Sequence, residues 1–308
     1  MRPALDPASP VLRRDAEHLQ VGTDPQDAVV LRDLPGVVEL LRRCDGVRQR
    51  GDVLGAGADP TVAADLGRAL DALLDVGVLV DTDQQLALGA AAGEPARLVG
   101  LGLAAARATV TVAARRTRAV RVVGPSVLAE PLAALLSDCG VPIHADSAPA
   151  TAWADGSRPD LAVVVGHPEP DRDTVDSLVR SDVDHLVVAL HARSALLGPL
   201  VRPGQTACVR CADAARSDAD PPWMAMVPQL DSPVQRPVGA PWAGSPLLVA
   251  TVVAGAAAAV LACLDGVPTP CDSAVLRWGA DCGLAAVHPI TAHPDCGCSR
   301  LTLTRRPR

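Results

Sequence analysis

The stretch "RVVGPSVLAEPLAALLSDCGVPIHAD" (residues 121–146) runs from a β-branched segment through a glycine turn into a helix-length apolar segment, then into a second short strand. This is the layout of a nucleotide-binding strand, turn and helix. A dinucleotide-type turn uses three glycines: one for the tight bend, one so that phosphate can approach the backbone, and one for helix packing. Here Gly124 takes the first place, while Ser126 and Ala129 take the second and third. Asp146 follows Gly124 by 22 residues, at the end of a strand, where a ribose-binding acid belongs. The turn keeps its shape and lacks part of its chemistry.

Downstream, "DLAVVVG" (160–166) leads into the helical "DRDTVDSLVRSD" (171–182), and "HLVVAL" (185–190) follows. Apolar runs separated by helix-length segments predict a parallel sheet covered on both faces. Upstream the pattern differs. "VLRRD" (11–15), "HLQVG" (18–22) and "DAVVLRD" (27–33) read as three small strands. In "PGVVELLRRCDG" (35–46), Val37, Leu40, Leu41 and Cys44 repeat at helical spacing, as do Leu66, Leu70, Leu73 and Leu74 in the next helix. A short apolar strand closes the segment, so strands, helices and a wing-like strand predict a winged-helix domain over residues 1–83. The Ala- and Gly-rich residues after it predict a linker and connecting helix over 84–117, which leaves 118–308 for the α/β domain.

Among 308 residues there is no Phe and no Tyr, so the core must be built from Leu, Val and Ala. A net charge of −7, from 28 basic and 35 acidic residues, gives no field to attract phosphate backbones or anionic lipid, so neither nucleic acid nor membrane is expected as a partner. The N-terminus shows no basic start followed by an apolar run, which predicts a cytosolic protein with reduced thiols. Residues 247–263 are uncharged and diluted by Ala and Gly; a helix buried against the sheet is preferred to a membrane span.

In that compartment, clustered cysteines point to metal before disulfide. "CVRC" sets Cys208 and Cys211 two residues apart, and "CGC" sets Cys296 and Cys298 one residue apart. Two close pairs far apart in sequence suit a tetrahedral zinc site stapling two parts of the fold, the alternative being two unrelated pairs of buried thiols. Cys44, Cys139, Cys263, Cys271 and Cys282 read as small core residues. His288 lies six residues after Cys282, but no base or oxyanion site can be named for a catalytic thiol there.

Within residues 185–230, "GPLVRPG" (198–204), the Cys208 and Cys211 pair, and Asp220 followed by Trp223 form one block, completed by "HPDCGC" (293–298). This block resembles the ThiF-like, ubiquitin-activating-enzyme-like proteins of azole and azoline peptide biosynthesis, and the resemblance covers the whole chain. It implies an α/β chain in which an N-terminal winged-helix peptide-recognition domain precedes a Rossmann-like ThiF-type domain with a zinc staple. It implies a protein that binds the leader of a ribosomally made precursor peptide and presents it to a separate YcaO-type cyclodehydratase. A homodimer is open, since ThiF-like folds often dimerise.

The resemblance also tests adenylation. Active adenylating members follow the ribose acid with an Asn, Arg and Gln segment that grips phosphate, whereas "DSAPATAWADGSRPD" (146–160) supplies only Arg158. They place a magnesium-binding Asp after a later strand, where this chain has His167 and Pro168, with Asp171 beyond two prolines. Phosphoryl activation is mostly positioning and charge neutralisation, so these losses favour a scaffold. Gly124, Ser126 and Asp146 then form a vestigial nucleotide site with ATP binding left open. The alternative is an adenylyltransferase using Gly124, Asp146 and Arg158.

For the peptide, strand addition to the edge of 27–33 would use Val29, Val30 and Leu31, against the helix face of Asp65, Arg68, Asp71 and Asp75. The charge of that same helix, three Asp and one Arg over residues 62–76, argues against a DNA-binding role.

Overall fold

A computed structural model describes residues 1–6, 9–26, 28–55, 60–146, 158–231 and 244–298, and divides the chain into two units, Met1–Arg116 and Thr117–Arg308. In the first unit, short β-branched runs punctuated by Gly, Asp and Pro give β1 (Pro3–Leu5), β2 (Val11–Arg13), β3 (His18–Val21) and β4 (Val29–Arg32). Then come α1 (Val37–Arg43), α2 (Arg50–Leu54), α3 (Pro60–Asp75), β5 (Leu79–Asp81), α4 (Thr82–Leu88), α5 (Glu94–Gly100) and α6 (Ala105–Ala114). Strands β2, β3 and β4 form an antiparallel sheet with β4 at one edge. The strand after the helices, β5, pairs instead with β1, a three-residue strand too short to register in the sequence.

The helical stripes do what their spacing predicts. Val37, Leu40, Leu41 and Cys44 from α1 and its C-cap, with Leu70 and Leu73 from α3, close on Leu19 and Val21 of β3. Cutting any one of these buried leucines to Ala costs about 2–5 kcal/mol. The residues expected as linker and connecting helix fold as α4, α5 and α6 around Leu88, Leu98, Ala108 and Val112. Arg115, fully buried, donates to Glu94 Oε2 at 2.9 Å in this layer.

The second unit begins with β6 (Val120–Val123), α7 (Ser126–Asp138), β7 (Ile143–Asp146), β8 (Leu161–Gly166), α8 (Arg172–Arg180), β9 (His185–His191) and β10 (Ser194–Val201). It continues through α9 (Val209–Ala219), α10 (Trp223–Met226), α11 (Pro246–Asp265), β11 (Ala274–Trp278) and β12 (Leu284–Pro289). One seven-stranded sheet runs β12-β11-β10-β9-β8-β6-β7. The four strands read from the sequence as a parallel sheet, β7, β6, β8 and β9, are parallel; β10, β11 and β12, which that reading did not include, extend the sheet antiparallel. The reason is the connection between β9 and β10, two residues long at Ala192 and Arg193. So short a link makes a hairpin, because parallel neighbours need a crossover of a dozen residues or more. From there β10, β11 and β12 continue antiparallel.

Gly198 in β10 explains part of the "GPLVRPG" block. Its φ is +100°, and a Cβ there would stand 2.6 Å from the Ala274 carbonyl oxygen, so glycine lets β11 close onto β10. Helices α7 and α11 cover one sheet face; α8 and α9 cover the other, where Val175, Leu178 and Val209 meet Ala162, Val164 and Val187. The apolar α11 is long enough to cross a membrane by length and composition, yet Leu248, Val252, Ala256, Val260 and Leu261 are buried within this core.

Candidate functional site

The four paired cysteines come together. Cys208 is the N-cap of α9 and Cys211 lies in its first turn, behind a loop in which Thr206 Oγ1 accepts from Arg202 N at 2.7 Å and donates to Leu200 O at 3.1 Å. Cys296 and Cys298 arrive from beyond β12, with Cys296 N donating to His293 O at 3.0 Å. The sulfur separations are 3.8 Å for Cys208 to Cys211, 3.6 Å for Cys208 to Cys296 and 3.4 Å for Cys211 to Cys298, and all four lie within 4.8 Å of one another. A tetrahedron with arms of about 2.3 Å has edges of about 3.8 Å, so the donor set fits a zinc ion. Burial pushes the Cys208 thiol up, and that of Cys298 up to about 12. Burial also works to raise Cys211, but hydrogen bonds from the main chain of His293 and Cys208 and from the neighbouring thiols outweigh it and hold Cys211 low. Four sulfurs gathered this closely are compatible with a metal ion held through their thiolates.

The nucleotide-type turn is built differently. Gly124 adopts φ +135°, and a Cβ on it would lie 2.3 Å from the Val165 carbonyl oxygen. The glycine is thus required by the backbone of β8. Pro125 is the N-cap of α7 and removes one N–H from the turn, a residue whose effect the glycine count overlooks. Ser126 is exposed, and Ala129 is packed into the core. Asp146 ends β7 opposite Val123, while its side chain and residues 147–157 lie outside the described residues.

Arg158 is not where a phosphate grip would need it. It precedes β8 and ion-pairs with Asp182, ahead of β9, at 3.3 Å, whereas the Gly124 turn follows the C-terminal end of the parallel β6. The two sites lie at opposite ends of the strands, roughly 20 Å apart along a six-residue strand. Asp171 is also engaged: its Oδ2 accepts from Thr174 N at 2.9 Å as the N-cap of α8. Cys282 sits in the turn between β11 and β12, and His288 near the far end of β12, so these two form no dyad.

Sequence reasoning missed a buried charge network beside the sulfur site. Arg172 donates to Asp213 through Nε at 3.0 Å and Nη2 at 2.9 Å, to Pro170 O at 2.9 Å and to Glu169 at 3.2 Å. Trp223 Nε1 donates to the same Asp213 at 3.0 Å, and the Arg216 guanidinium stacks 3.4 Å over the Trp223 ring. The Trp of the sequence block therefore holds an acid on α9; Asp220 contributes main-chain groups, its N–H donating to Arg216 O at 2.8 Å and its carbonyl accepting from Trp223 N at 2.9 Å. The signal available was an Asp two residues beyond Cys211 on the buried face of α9.

In the first unit, β4 is an open edge. Asp33 N donates to Glu17 O at 2.7 Å, so by the alternation of an antiparallel ladder Leu31 and Val29 also face β3, while Val30 turns its N–H and C=O outward. Val29 and Leu31 pack against the core, and Val30 is exposed. Arg68 pairs with Asp65, and Asp71 accepts from Arg50 Nη2 at 2.9 Å, which lowers its carboxyl below the usual range.

No protein-family profile matches the chain, and no curated protein does. Solved structures do. The chain is similar to the heterocyclase TruD at 19% identity with a TM-score of 0.64, over 98% of this chain and 43% of that one. It is similar to a heterocyclase in complex with substrate and cofactor at 17% identity and 0.66, over 96% of this chain and 39% of the other. The E. coli protein MccB, solved with MccA, matches at 12% identity and 0.54, over 97% of this chain and all of MccB. At these identities the likeness is one of fold, and the chain spans about two fifths of the two heterocyclase chains.

Proposed function

We propose that this protein captures the leader of a ribosomally made precursor peptide and presents it to a separate YcaO-type cyclodehydratase, without adenylating anything itself. The observation that carries the reading is the likeness in fold of nearly the whole chain to part of the heterocyclase TruD; a separate cyclodehydratase as the partner is what the "GPLVRPG", Cys208 and Cys211 block implies. MccB solved with MccA supports a peptide as the ligand. Residues 1–83 act as a winged-helix recognition domain, the peptide pairing with the outward groups of Val30 on β4 between the sheet edge and α3. Residues 118–308 act as a ThiF-type scaffold. The glycine of its nucleotide-type turn packs against the backbone of β8, Asp171 beyond β8 caps α8, and Arg158 stands at the other end of the parallel strands.

Cys208, Cys211, Cys296 and Cys298 hold one zinc. Four thiolates leave no open position for water, so the ion supplies rigidity and no chemistry. The protein works in the cytosol, where these thiols stay reduced.

The test is binding of leader peptides, taken from short precursor genes beside a YcaO-type gene, to the full chain. Val30→Pro removes an outward N–H that the domain itself does not use, and should weaken binding at least about tenfold. Val29→Pro attacks the domain's own pairing with β3 and should unfold the first unit, visible by circular dichroism. Arg68→Ala and Asp71→Ala should change binding little. A folded Val30→Pro protein that binds like the parent overturns the site, and pyrophosphate exchange abolished by Asp146→Ala restores the adenylating alternative.

A further inference from the structure

Away from the β4 edge, the first unit contains a cavity of about 620 Å³ between the β1–β5 pair, the end of α3, and helices α4 to α6. Ligand pockets range over roughly 300–1,000 Å³, so this one is of working size. Its walls are mainly apolar, from Leu5, Leu74, Leu79, Leu88 and Val99. Its charge is one-sided: Asp6, Asp45, Asp75 and Asp81 line it, and among the described residues no Lys, Arg or His does. The one cation on the wall is the Met1 ammonium, 3.4 Å from Asp83. Asp45 is engaged with Arg48, and Asp81 accepts from the N–H groups of Arg2 and Asp83. Asp75 is exposed and makes no ion pair among the described residues. Gln84 and Gln85 add donor and acceptor pairs of the kind that match a main-chain amide.

We infer that this cavity is a second peptide-docking site, taking an apolar side chain carried next to an Arg or Lys. The apolar walls supply burial, the carboxylates select the cation through charge complementarity, and the carboxamides orient the peptide bond. The site shares no residue with the β4 edge and does not rest on the leader-binding reading.

Calorimetry on the full chain tests it with three probes, Ac-Leu-Leu-Arg-NH2, Ac-Leu-Leu-Gln-NH2 and Ac-Leu-Leu-Glu-NH2. The Arg peptide should bind at least about tenfold more tightly than the Glu peptide. Asp75→Asn should remove most of that preference while leaving the Gln peptide unchanged. Ala96→Trp, at an exposed position of the wall, should weaken all three at least about tenfold. Val30→Pro should change none of them, which separates this site from the strand edge. Absence of binding by every probe, equal affinity for the Arg and Glu peptides, undiminished binding in Ala96→Trp, or loss in Val30→Pro overturns the inference.

Discussion

Two loops of the second unit lead into helices, and they have diverged. Before α7, Gly124 presses against the β8 carbonyl, Pro125 withholds a donor, and Ala129 is core. Before α9, the chain presents Cys208 and Cys211 to two more sulfurs from residues almost ninety positions later, with Arg172 and Asp213 packed alongside. At the first turn the side chains and backbone now serve packing. At the second they bring four sulfurs together in an arrangement compatible with a metal ion. A loop entering a helix can thus serve backbone packing in one place and the gathering of side chains in another.

That contrast can be broken at the sulfur turn first. Cys208→Ser combined with Cys298→Ser should take zinc from about one per chain to none, as read by metal analysis, and sharply lower the melting temperature; structural zinc binding is worth on the order of 10–16 kcal/mol. Unchanged zinc would remove the ion from these residues. Next comes the supporting network. Asp213→Ala leaves Arg172 charged and buried without its bidentate partner, and should cost about 3–5 kcal/mol in denaturant unfolding.

The sheet between the two turns supplies a pH test. His185 is fully buried at the start of β9, its Nδ1–H donating to Val183 O at 2.9 Å, and burial holds the imidazole down at about 4 from 6.5. The unfolded chain takes up its proton near the ordinary value and the folded chain only near 4. The stability present above pH 6.5 is therefore lost as pH falls through the window down to 4, by about 3 kcal/mol. His185→Leu should flatten that slope relative to the parent, and parallel slopes would count against it.

The nucleotide-type turn gives the smallest effects. Gly124→Ala should cost about 1–3 kcal/mol through the clash with Val165, whether or not ATP is present. Ser126→Gly, at an exposed position, should change stability by under about 0.5 kcal/mol and bring no nucleotide binding. Nucleotide binding gained by Ser126→Gly would show that the turn is one residue from function.

Periodicity carried most of the local structure: Val37, Leu40, Leu41 and Cys44 and the α3 leucines face the core where their spacing puts them. The cysteine pairs were legible because rare residues at short spacing have few other uses. The antiparallel half of the sheet was not, since Ser194–Val201 is an apolar run like any parallel strand and only the two-residue link betrays its direction. Asp213 was hidden for another reason. A buried ion pair depends on Arg172, forty-one positions away, and no local pattern announces such a partner.

The cysteine cluster also has an order of assembly during synthesis. The first unit is fully synthesised once Arg116 has been made, whereas the last cysteine of the cluster, Cys298, is added roughly 180 residues later. At about 5–20 residues per second that is an interval of roughly 10–40 s. Throughout it all residues of the N-terminal unit, the β4 edge included, have been made while the cysteine cluster still lacks its last member.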